Sequence, residues 1–197
     1  MFARDPSFRG LRALMVATVR SSGSTEVPHP DGGAILDAIK RASIREIVAL
    51  PDIVTSEGVL WPVSKDPDFR LTRVCKEDEG ISICAAMSYN GTRALLMMQQ
   101  TGLMDSLNAV RAIGVDYQRP VVMLVGLQGK EPDKLPSESA AYGVRIVQPV
   151  LDAMQLSHSL IEAPGDEAQI PGYVEAAYAN SCPHIFLVGR APVAPAP

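Results

Sequence analysis

Six short apolar runs, separated by segments with helical spacing, constrain the fold of this 197-residue chain more than any other feature. They are EIVAL at 46–50, LTRVC at 71–75, ALLMM at 94–98, PVVMLV at 120–125, SLIE at 159–162 and HIFLV at 184–188. Near-continuous apolar runs of this length suit strands buried on both faces. Asp31-Gly32-Gly33 opens a helix in which Ile35, Leu36 and Ile39 share one face. The spacing predicts further helices over 54–63, over 78–90 with Gly91 as C-cap, over 103–115, over 137–154 with Ser137 as N-cap, and over 166–179 despite Pro171-Gly172. Strands alternating with helices predict an α/β domain: a three-layer α/β/α architecture around a six-stranded, mostly parallel sheet. Right-handed crossovers would then put every loop that follows a strand on one edge, where open α/β sheets bind ligands.

The residues at that edge are polar. The second run leads into Glu77, Asp78 and Glu79, and the third ends in Gln99-Gln100-Thr101-Gly102. Pro51 and Asp52 follow the first run, and GLQGKEPDKLP at 126–136 follows the fourth. Glu77 shares a helical stripe with Ile81, Cys84 and Ser88, which predicts an inward aim. Glu79, two residues on, points roughly 200° away around a helix. The three acids also suit a helix N-terminus, where the macrodipole favours them. Gln99 to Gly102 equally suit a plain strand-to-helix turn, with Gly102 permitting close backbone approach. Asp52 equally suits a helix cap.

The formal charge of −4 argues against nucleic acid or an anionic membrane as the main partner. A hydrophobic content of 47% argues against wholesale disorder. Cys75, Cys84 and Cys182 lack metal-ligand spacing; the first two are expected on or beside core elements as small hydrophobes. An odd cysteine count without a secretory segment suits the cytoplasm. His29, His158 and His184 pair with no nucleophile and read as structural. No GxGxxG follows the first strand and no P-loop occurs; Gly126-Leu127-Gln128-Gly129-Lys130 has the wrong spacing. Residues 1–30 form an arm and linker: a mobile arm, a docking arm, an over-long reading frame before Met15, or a faint transit peptide. The domain is expected over 31–190, and the tail at 191–197 should be extended and unpacked.

VCKEDEGISICAAMSYNG followed by RALLMMQQTGLMDSLNAV resembles the α subunit of sulfopyruvate decarboxylase and the amino-terminal part of phosphonopyruvate decarboxylase. Those enzymes carry an acidic R-E-x-E-G type turn into an Ala/Gly-rich helix, then an apolar strand ending in Q-N-S/T-G-L. ALPD at 49–52 looks like their turn after the first strand, and PVVMLVG and LDAMQL follow the pattern, so the resemblance covers about 31–188. It implies a thiamine diphosphate enzyme of which this chain is the pyrimidine-binding (PYR) domain alone. The partner half of such enzymes carries a G-D-G…N motif that holds Mg²⁺ and the diphosphate. Pro164-Gly165-Asp166-Glu167 is the nearest match here and is not one. The resemblance therefore implies a separate β subunit with the PP domain, a cofactor shared between them, a hetero-oligomer of even, symmetric stoichiometry, and inactivity of this chain alone.

By the same resemblance Glu77 would hydrogen-bond N1′ of the cofactor pyrimidine, driving the imino tautomer that takes the C2 proton. That role asks for a dry site and a raised carboxyl pKa. Glu77 follows Lys76 as the family glutamate follows Arg, which favours it over Glu79. Gln99, Gln100, Thr101 and Gly102 would lie beside the cofactor; Pro51, Asp52, Leu103, Met104 and Asp105 would lie toward the substrate. The substrate would be a small 2-oxo acid, decarboxylated to an aldehyde. Where the relatives have Gly-Asn this chain has Met104-Asp105, added bulk and negative charge that a dianionic sulfonate or phosphonate would fit less well. Carboligation or carbon–carbon cleavage on the same cofactor is the alternative reaction. A non-catalytic PYR-like module that stabilises or regulates a partner is the alternative class.

Overall fold

A computed structural model describes residues 28–195. The expectations for the arm at 1–27 lie outside the described residues, as do those for the last two tail residues. Six strands, β1 (Glu46–Ala49), β2 (Arg70–Arg73), β3 (Ala94–Gln99), β4 (Val122–Gly126), β5 (Ser157–Ile161) and β6 (His184–Val188), form one sheet in the order β2-β1-β3-β4-β6-β5. All five pairings are parallel. The four central strands are buried at every residue except Gln99 at the end of β3, as their unbroken apolar runs require, whereas the outer strand β2 is half exposed.

Helices cover both faces. On one lie α1 (Gly32–Arg41), a wide π-type turn at Ser56–Leu60 that runs into α2 (Trp61–Val63), and α8 (Ile170–Ala179). On the other lie α3 (Glu77–Tyr89), α4 (Gln100–Asp105), α5 (Leu107–Ala109) with a second π-type segment at Val110–Asp116, α6 (Tyr142–Arg145) and α7 (Val147–Ala153). Asp31 starts α1 by accepting from the Ala34 amide, and Ile35, Leu36 and Ile39 are buried, as their spacing predicts. Gly91 ends α3 at φ +72°, the left-handed cap expected of it. Cys84 sits in the core, where burial pushes its thiol up to about 12; Cys75, expected beside the core, is exposed.

The single helix expected over 103–115 is split at Ser106, and two further failed expectations have identifiable reasons. The single helix over 137–154 is broken into a 3₁₀ turn at Pro136–Glu138, α6 and α7. Glu131 accepts from Ser139 Oγ at 2.6 Å and from the Ala140 amide at 2.9 Å, and Arg145 donates to the Ser139 carbonyl at 2.6 Å. These contacts hold 139–141 extended, so Ala141 rather than Ser137 precedes the helix. The tail is not unpacked: Pro192 is buried, its carbonyl lies where a side chain on Gly58 would have to go, and Val193 bridges Asp31.

Candidate functional site

The chain leaves β1 onto one face of the sheet, through the turn at Ser56–Leu60, and leaves the adjacent β3 onto the other, through α4. That divergence makes the carboxyl ends of β1 and β3 the topological switch point, where open α/β sheets place their ligand crevice. α3 packs on both of these strands, so its first turn stands at the same place. Glu77, Asp78 and Glu79 occupy that turn, but they have separate surroundings. Glu79 Oε2 folds back to accept from the backbone amides of Cys75 at 3.1 Å and Lys76 at 3.2 Å, so it is the cap. Asp78 Oδ1 accepts from the Glu79 amide at 3.0 Å.

Glu77 is half-buried rather than sealed, and its carboxylate accepts no hydrogen bond from the described residues. It lies against Gly102: a Cβ there would overlap Glu77 Oε1, Cδ and Cγ together. Two sequence motifs that follow different strands thus meet in one van der Waals contact. Glycine at 102 is the only residue type that leaves room for it.

The remaining residues after β3 divide in two. Gln99 Nε2 donates to Thr101 Oγ1 at 2.7 Å on the solvent side. Gln100 is buried and tied to the next loop: its Nε2 donates to the Gln128 carbonyl at 2.9 Å, and its Oε1 accepts from the Gln128 amide at 2.8 Å. Its amide is therefore committed to holding two loops together. Leu103 is wholly in the core and Met104 packs against it, so neither side chain reaches toward a substrate. Asp105 pairs with Lys76 at 3.3 Å, both side chains more than half exposed. Met104-Asp105 thus adds no bulk to the crevice, and the extra charge has a cation beside it.

Asp52 turns inward. It accepts from the amides of Val54 at 2.7 Å and Thr55 at 2.9 Å and from Thr55 Oγ1, which makes it the cap of the turn leaving β1. Burial pushes its carboxyl pKa up, against the pull of those donors. It lies so close to Gly126, at the end of β4, that a side chain there would strike it. Pro51 is exposed at the same edge.

Further along this edge is an ion pair that sequence reasoning missed. The Lys130 side chain is wholly buried and reaches Glu162 Oε1 at 2.6 Å, tying the loop after β4 to the end of β5. Gly189 leaves the space that Glu162 fills. Beside the pair a cavity of about 140 Å³ is lined by His29, Val54 and Arg190 among others. Lys130 sits in a polar loop with nothing in its local sequence to distinguish it from a solvated lysine. His184 and His158 are structural: the His184 ring bonds Ser157 Oγ at 2.8 Å and Ser159 Oγ at 3.1 Å at the amino end of the sheet, away from the crevice. Among the described residues no cluster of three or more His, Cys, Asp or Glu side chains could hold a metal ion, and no helix is long and apolar enough to cross a membrane.

The fold is thus a six-stranded parallel α/β domain of the kind a PYR domain has, with its acidic and glycine motifs at the switch point. In sequence the chain is similar to sulfopyruvate decarboxylases. It is 26% identical over 105 residues to sulfopyruvate decarboxylase subunit alpha of Methanococcus maripaludis, covering 53% of this chain and 62% of that one. It is 29% identical over 105 residues to the subunit alpha of Methanothermobacter thermautotrophicus, covering 53% and 63%. Over 159 residues it is 27% identical to sulfopyruvate decarboxylase of Methanosarcina acetivorans, 78% of this chain and 38% of that protein. The matched region thus spans less than two thirds of each relative's length. No family model matches the chain.

Proposed function

We propose that this chain is the PYR subunit of a heteromeric thiamine diphosphate-dependent 2-oxo acid decarboxylase, with Glu77 as the residue that activates the cofactor pyrimidine. The observation that carries the proposal is the contact between Glu77 and Gly102. Among the described residues no donor reaches the Glu77 carboxylate, which stands at the switch point in the space that a side chain on residue 102 would take. The neighbouring acids are unsuited to the role, Glu79 being the helix cap and Asp52 the cap of the turn after β1. Support also comes from the relatives, whose names give a decarboxylase and, in the subunits called alpha, an enzyme of more than one chain.

The residues fit the cofactor's pyrimidine end. Glu77 would hold a proton at a carboxylate oxygen facing the ring nitrogen, Gly102 would give the Glu77 side chain its place, and Gln99 and Thr101 would flank the ring from the solvent side. Gln100 would keep the edge rigid through its two bonds to Gln128. When bound, thiamine diphosphate supplies the electron sink that decarboxylation needs. Mg²⁺ and the diphosphate fall to a partner subunit with a PP domain, and that subunit would exclude water by covering the carboxyl edge. The half-exposure of Glu77 in this chain is what an incomplete site would have.

The test is reconstitution with the separately encoded partner subunit and an assay of aldehyde release from a panel of 2-oxo acids, sulfopyruvate first. Glu77→Gln should lose on the order of 10²–10⁴-fold in kcat while the complex still assembles. Wild-type turnover by that variant would refute the assignment.

A further inference from the structure

The amino edge of the sheet, opposite the crevice, brings three arginines around a cleft of about 250 Å³: Arg45 before β1, Arg70 at the start of β2, and Arg93 before β3. The sheet register explains why they meet. Glu46 pairs with Arg70 on one side and with Ala94 on the other, so Arg45 and Arg93, each one residue earlier, come side by side. Like charges placed opposite one another on neighbouring strands are destabilising.

Each guanidinium has at least one protein partner and keeps donors in reserve, although the Arg70 side chain is 78% exposed. Arg45 Nη1 donates to the carbonyls of Lys40 and Ile44, both at 2.9 Å. Arg93 donates from Nη1 to the Ala42 carbonyl at 3.1 Å and from Nη2 to Glu175 at 2.7 Å. Arg70 Nη2 pairs with Glu46, which is buried. Nε and Nη2 of Arg45, Nε and Nη1 of Arg70 and Nε of Arg93 make no hydrogen bond among the described residues. Glu46 and Glu175 each serve one arginine; among the described residues Arg45 has no hydrogen-bonded acid, though its charge also acts on Asp66. Guanidinium forks with unused N–H groups match the geometry of an oxyanion.

We propose that this cleft is an anion-binding site, built for a dianionic oxyanion of the phosphate class, either free or as the phosphoryl group of a small metabolite. The oxyanion accepts from the spare donors of Arg45, Arg70 and Arg93 and neutralises the Arg45–Arg93 repulsion. Gly91 and Thr92 form the rim, and no atom within 4 Å would meet a Cβ on Gly91, so the entrance is open on that side. The site lies at the far edge from Glu77 and stands independently of the decarboxylase proposal.

Titration of the isotopically labelled full chain with inorganic phosphate tests this, with potassium chloride at matched ionic strength as the control. The expected result is saturable movement of the Gly91 and Thr92 amide signals that chloride does not reproduce. Arg45→Gln should bind at least tenfold more weakly. Arg70→Lys keeps a charge against Glu46 but loses the fork, and should bind several-fold more weakly. Circular dichroism checks both folds. No saturation in the wild type, equal movement with chloride, or unchanged binding in whichever variants fold would overturn the proposal.

Discussion

Gly102→Ala should have opposite effects on stability in the presence and absence of the Glu77 side chain. The added methyl would overlap three consecutive atoms of Glu77, from Oε1 back to Cγ. The clash therefore reaches the stem of the side chain, and rotating the carboxyl group alone cannot relieve it. Forcing such a rearrangement costs about 1–3 kcal/mol. Against this, replacing glycine by alanine within a helix is favourable by about 0.5–1 kcal/mol, and Gly102 lies inside α4. Gly102→Ala should thus destabilise the wild-type chain by up to about 2.5 kcal/mol, the first value less the second. With Glu77→Ala already present the clash is gone, and the same change should be neutral or stabilising by up to about 1 kcal/mol. Urea unfolding of the two single variants, the double variant and the wild type gives the coupling directly. Additivity to within about 0.5 kcal/mol would show that Glu77 does not rest on Gly102, and the basis for the candidate site would fall with it.

Other regions give sharp outcomes as well. His184 is pushed down to about 3 by burial and, less strongly, by His158, from an ordinary value of 6.5. The unfolded chain therefore takes up a proton that the folded chain resists, and stability falls as pH drops from about 6.5 toward 3, by up to about 2 kcal/mol at pH 5; His184→Gln should flatten that slope in urea titrations at pH 7.5 and 5. Lys130→Met leaves the partly buried Glu162 without its cation and should cost about 3–5 kcal/mol, read as a lowered denaturation midpoint; a change under about 1 kcal/mol would show that the pair is solvated. Gln100→Ala frees both bonds to Gln128 and should cost about 1–3 kcal/mol, with faster amide exchange at Gln128.

Much of this was legible in the sequence because the strong signals were long and uniform. HIFLV became β6 without a change of boundary, and ALLMM became β3 with Gln99 added. The small, mostly apolar stripe after Glu77 predicted that Ile81 and Cys84 would face the core, and both are buried. What escaped were contacts made at a distance along the chain. The helix expected over 137–154 was lost to Glu131, whose bonds to Ser139 and Ala140 outweigh local helix preference. The wide turns at Ser56–Leu60 and Val110–Asp116 each hide an extra residue that periodicity cannot register. Lys130 and Glu162 are separated by a helix pair and a strand, so nothing local pairs them. The family resemblance placed Met104-Asp105 toward the substrate; the turn of α4 instead sends Met104 against the core and Asp105 to Lys76.

The central claim, that Glu77 activates a bound cofactor, is tested most directly by the rate of C2-proton exchange of thiamine diphosphate in the complex with the partner subunit. Quenched-flow deuterium exchange followed by NMR would compare wild type with Glu77→Gln. The account predicts fast exchange in the wild type and a loss of at least about 10²-fold in the variant, with cofactor still bound. Exchange at the wild-type rate in Glu77→Gln would contradict it and leave the chain as a PYR-like module whose carboxyl edge serves assembly alone.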